Sequence, residues 1–139
     1  MPATFQIHPD HALVLVHYWG LATVEESYEA FGTYLMHPDY HPAQRHLVDL
    51  SGVTGVEQNF IRLFELQAGK AAAFMAGPAP VMLVYHAPCD LSLRVARLIQ
   101  RSWEGLDGAL VRVAIDWDGA ADILGLRRAV LASLVSPTA

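Results

Sequence analysis

The stretch Leu47-Val48-Asp49-Leu50-Ser51-Gly52-Val53-Thr54 constrains this chain more than any other. An apolar strand pattern over Arg45 to Leu50 runs into Asp-Leu-Ser-Gly, and an amphipathic helix pattern follows from Glu57 to Ala76. Such a strand-to-helix junction belongs to the edge of a sheet in an α/β domain, where ligands or partners usually sit. It names a kind of architecture and leaves the activity open.

The flanking segments alternate in the same way. Thr4 to His8 and His11 to Trp19 read as two strands, and Pro9-Asp10 between them as a turn, so an antiparallel hairpin is expected. Thr23 with Glu26 makes a capping box that starts a first helix carrying Val24, Tyr28, Phe31 and Leu35, and His37-Pro38 ends it. The second helix, Glu57 to Ala76, is expected to turn Phe60, Leu63, Phe64, Ala68 and Ala71 inward, with Gly77-Pro78 closing it. Pro80 to His86 is a nearly all-apolar strand, as a sheet covered on both faces requires. A third helix starts at Pro88-Cys89-Asp90, a last strand spans Ala109 to Trp117, and Asp118 is placed to cap a short helix ending at Leu124-Gly125. Leu126, Val130 and Leu134 mark one more helix. The order is ββαβαβαβα. It predicts an α/β fold with a mixed five-stranded sheet covered by helices and right-handed crossovers.

Composition removes several function classes. A chain of 139 residues suggests one domain, expected over residues 1–125, with residues 126–139 as an additional helix packed on it or on a partner. Net charge is −5 with a single lysine, Lys70, so the cations a nucleic-acid binder needs are missing. The most apolar window, Ala71 to Tyr85, is cut by Gly77, Pro78 and Pro80, and falls short of the ~18 continuous apolar residues of a membrane span. No signal-peptide pattern is visible and Cys89 is the only cysteine, which together suit a reducing cytoplasm. Apolar residues make up 53% and charged residues 17%, a balance that favours self-association.

Trp19-Gly20 before Thr23-Val24-Glu25-Glu26, the loop His37-Pro38-Asp39-Tyr40-His41-Pro42, the Val48 to Thr54 junction and the closing Ala120-Ala121-Asp122-Ile123-Leu124-Gly125 occur in one order and spacing. Together, over about residues 5–125, they resemble the SpoIIAA-like group of STAS-type domains, related by fold to Sec14/CRAL-TRIO-like modules. The resemblance implies a SpoIIAA-like sheet and a regulatory role of the anti-sigma-factor-antagonist kind. The switch serine that the resemblance implies would fall on Gln58 or Asn59, and neither accepts a phosphoryl group.

Candidate ligand- or partner-binding residues follow from position. Trp19 ends the second strand and either lines a pocket near Asp49 or packs at a rim. Asp49 is a strand-end acid or a turn cap, and Ser51, like Thr54, either offers a hydroxyl or bonds its own turn. Cys89 opens a helix, where a thiolate is stabilised, and His86 is three residues upstream. Arg94, Arg97 and Arg101 share one helix face, as an anionic-partner stripe or a solvated surface. His37, His41 and His46 are read as a solvated loop, since prolines break the helix their spacing would need for metal. No catalytic set, metal set or cofactor motif is expected. The leading expectation is a cytoplasmic, non-enzymatic module acting through protein contact, as a homodimer. The alternatives are a small apolar-ligand (lipid-like) carrier, with its pocket between the sheet and the helices bearing Phe31, Phe60 and Phe64, and a thiol enzyme using Cys89 and His86.

Overall fold

A computed structural model of the chain describes residues 3–57, 59–77 and 80–135, without the side chain of Phe60. It is an α/β fold built on a mixed five-stranded sheet. The strands are β1 (Ala3–His8), β2 (Leu13–Ala22), β3 (Arg45–Val56), β4 (Val81–His86) and β5 (Ala109–Ala114). The helices are α1 (Val24–Leu35), α2 (Phe60–Met75), α3 (Asp90–Ser102), α4 (Trp117–Leu124) and α5 (Arg128–Val135). In space the strands lie in chain order, with β1 antiparallel to β2 and the remaining pairs parallel.

Crossovers between neighbouring strands that all turn right-handed place their helices on one face. Accordingly α1, α2 and α3 cover one side of the sheet, and α4 and α5 the other. Side chains alternate between two cores. Val48, Leu50, Leu83 and Tyr85 face α2 and α3, while Leu13, Leu47 and Val84 face α4 and α5. Leu131 of α5 is fully buried in that second core, so the last apolar helix packs within the chain.

Several boundaries differ from the sequence expectation. The β1–β2 connection is a short 3-10 turn over Pro9–His11, with Ala12 in the left-handed region. Neither β2 nor β3 stops where the apolar run stops. Trp19 to Ala22 pairs with Gly52 to Val56 through two register shifts, so Ser51 and Gly52 lie inside a strand and not in a loop. A Cβ on Gly52 would come within 3.2 Å of the Trp19 Cβ, which explains a small residue at the bulge. β5 ends at Ala114, and Asp116 rather than Asp118 caps α4, its Oδ1 accepting from Gly119 N–H at 2.7 Å. Asp118 instead pairs with Arg128 at 3.0 Å, joining α4 to α5. The far end of α4 is held by Arg45, whose guanidinium donates to Leu124 O and His11 O.

The second helix is rotated from its expected orientation. Leu63, Leu66, Gln67, Ala71 and Phe74 are buried, while Phe64 and Ala68 face outward with Ile61 and Met75. Apolar residues lie around much of this helix, so apolar spacing alone does not choose the inner stripe.

Candidate functional site

With strands in simple chain order, the parallel sheet has no strand-order reversal and lacks the crevice where doubly wound sheets bind ligands. The space lies instead between the sheet and α1, α2 and α3. A cavity of about 90 Å³ opens there. Val16, Tyr18, Val48, Leu50 and Leu83 form its floor on the sheet. Phe31 and Tyr34 of α1, Leu63, Leu66 and Phe74 of α2, and Val95 and Ile99 of α3 form its walls and roof. The local sequence explains the gap. Ala30 and Ser27 are small where α1 crosses the sheet, and α2 puts Gln67 and Lys70 on its inner stripe in place of branched apolar residues.

The cavity is apolar with a few polar groups. Tyr18 and Ser27 hydroxyls bond each other at 2.8 Å, and the Tyr34 hydroxyl donates to Gln44 Oε1 at 2.6 Å. Burial, with Lys70 adding to it, pulls His46 down to about 3, so this imidazole is neutral. Glu57 reaches the rim, and its Oε2 accepts from Val24 N–H at 2.8 Å. Gln67 donates from Nε2 to Ser102 Oγ at 3.0 Å, and its Oε1 accepts no hydrogen bond. Lys70 extends along the wall with Nζ 5.5 Å from the centre of the Phe31 ring. Burial lowers its pKa to about 8. Among the described residues no carboxylate lies within 4.0 Å of it.

On the opposite face, three neighbouring parallel strands each carry one polar residue at the same register, where β4 ends and β2 and β3 enter their irregular stretch. His17 pairs with Asp49, and Asp49 with His86. His17 Nδ1 and His86 Nδ1 each lie 3.0 Å from one Asp49 oxygen, and Ser51 N–H donates to Oδ1 at 3.0 Å. Burial pushes the Asp49 carboxyl up, but the bonds from His86 and Ser51 outweigh it and hold the group at about 2. Each ring stacks on one tryptophan. His86 stacks on Trp117 at 3.6 Å, and His17 on Trp19 at 5.6 Å. A carboxylate that bonds two imidazoles through their Nδ1 atoms ties the three central strands together side chain to side chain.

The expected site residues therefore separate. Trp19, Asp49 and Ser51 meet at this strand-end row, Trp19 as an exposed lid on His17. Asn59 is the N-cap of α2, its Oδ1 accepting from Arg62 N–H at 3.2 Å, and Gln58 lies outside the described residues. Cys89 is exposed, where a half-buried thiol is the ordinary expectation. Its Sγ lies 3.1 Å from Ser92 Oγ, and that hydrogen bond lowers the thiol's pKa. His86, its expected partner, is engaged with Asp49, and among the described residues no hydrogen bond joins the two. Arg94, Arg97 and Arg101 are exposed, and no ion pair joins Asp90 to Arg94 or Arg101 to Glu104 among the described residues. His37 and His41 fold back on their own turns, accepting from Asp39 N–H and Ala43 N–H, whereas His46 is in the core and not in a solvated loop. Among the described residues no three His, Cys, Asp or Glu side chains gather as a metal set, and no helix is long and apolar enough to cross a membrane.

Sequence reading missed Gln67, Lys70, His17 and Trp117. The signal for Lys70 was present: the only lysine falls seven residues after Leu63 and four after Leu66, on one helical face. No family model matches the chain, and no curated protein matches it.

Proposed function

We propose that this chain is a binding domain for a small apolar ligand, held between the sheet and α1, α2 and α3. The observation that carries this reading is the apolar cavity with a lysine in its wall and, among the described residues, no carboxylate in ion-pair contact with it. Interiors normally pack to crystal-like density, so a lined apolar space with a part-buried ammonium in its wall suits a small ligand. Small-molecule sites have this character, mostly apolar with a few placed polar groups. The volume supports a small ligand rather than a long-chain lipid. A dry cavity of about 150 Å³ takes up benzene, and this one is smaller.

Xenon and isobutanol are suitable neutral probes. Each is expected to shift the methyl resonances of Val16, Leu66 and Val95 in a saturable way. Replacing Ala30 with leucine adds three carbons into the space and is expected to weaken both probes about tenfold while unfolding stability changes by under about 2 kcal/mol. Saturating probe with no response at these methyls would remove the reading.

A second reading, a regulatory module working through protein contact, is supported by Ile61, Phe64 and Met75, exposed on the outer face of α2. A homodimer is the form to test. Size-exclusion chromatography with light scattering is expected to give twice the chain mass, and a monomer at all concentrations removes that form.

A further inference from the structure

We propose, building on the cavity reading above, that the ligand is a short or branched-chain monocarboxylic acid whose carboxylate pairs with the Lys70 ammonium. Lys70 is the chain's only lysine and lies part-buried in the cavity wall on α2, its Nζ over the Phe31 ring. The charges that could neutralise it are engaged or absent. Glu57, the acid on the same cavity, takes the Val24 N–H. His46 faces the ammonium from β3 as a neutral ring. Among the described residues no other acid lines the space.

Burial weakens the ammonium's hold on its proton, yet a pKa of about 8 leaves it charged at neutral pH. The cation therefore stands in an apolar wall with a face of an aromatic ring in place of an anion. A carboxylate supplies both the missing charge and the acceptors for its N–H groups. Gln67, one turn earlier in the same wall, has its Nε2 fixed on Ser102 and does not compete for the carboxylate. The rest of the lining is apolar and short. By proportion to a benzene-sized cavity, about 90 Å³ holds on the order of four carbons. Isobutyrate and isovalerate have this shape.

The test compares isovalerate with isovaleramide by calorimetry or NMR titration at pH 7, on the full chain and on its Lys70→Met and Lys70→Arg variants. The acid is expected to bind the unaltered chain about tenfold or more tighter than the amide. Lys70→Met is expected to abolish that preference by weakening the acid and leaving the amide within about threefold, and Lys70→Arg to retain it. Isobutanol binding confirms that each variant keeps its cavity. Equal affinity for acid and amide in the unaltered chain, or a preference that survives Lys70→Met, overturns the carboxylate assignment while the apolar-ligand reading stands. Failure of acid, amide and isobutanol alike removes both.

Discussion

Replacing Leu131 with alanine is expected to lower the free energy of unfolding by about 3 kcal/mol, the largest single-residue effect anticipated here. Leu131 is fully buried where α5 meets α4, Leu13, Leu47 and Val84. Truncating it removes apolar contact and leaves a cavity that an α/β interior does not readily close. Total stabilities of such domains are about 5–15 kcal/mol, so the midpoint of urea unfolding should fall visibly with little change in slope. A loss below about 1 kcal/mol would mean that α5 is not docked in solution. A chain ending at Gly125 should fare worse, because the part of the second core that α5 covers would then face water. That outcome separates two roles for the last helix: a domain-closing element, or a free surface for a partner.

The second large effect is at Asp49. Asp49→Asn is expected to cost about 2 kcal/mol at pH 7 and to remove part of the acid sensitivity of the fold. In the unfolded chain the carboxyl takes up its proton near its ordinary value of 3.8, and in the folded chain near 2. Between those pH values the unfolded state binds more protons, so stability falls as pH falls. The contribution is fully present above pH ~4 and is lost as pH drops through about 2. Solvent at the strand end screens part of it, which keeps the figure at about 2 kcal/mol. Denaturant titrations from pH 5 to pH 2 on both chains check this. Parallel stability curves would show that the bonds from His86 and Ser51 do not hold the carboxylate's charge.

Local signals carried most of the fold. Thr23 does accept from Glu26 N–H at 3.3 Å, α1 does stop at Leu35 before His37-Pro38, and Cys89 does precede the first turn of α3. These depend on contacts within a few residues, which a linear pattern records. The extended ends of β2 and β3 were hidden because their pairing passes through bulges between residues over thirty apart, and Ser-Gly reads as a turn when its partner strand is unseen. The strand-end row was hidden for the same reason: 32 residues separate His17 from Asp49 and 37 separate Asp49 from His86. The inner stripe of α2 was misread because it contains Gln67 and Lys70 while Ile61, Phe64 and Met75 stand on the outer side, so apolar spacing did not separate the two. That local inconsistency is the mark of the candidate site, where a sequence departs from what packing alone would select.

Asp49 between two imidazoles also keys the alignment of the central strands. If β3 slid by one residue, every side chain on it would change sides. Leu50 would then stand between His17 and His86, and the Asp49 carboxylate would be driven into the oily space beneath α2. The wrong alignment would strand a charge on one side and two hungry ring nitrogens on the other, so the row acts as a vernier that admits a single setting of the sheet.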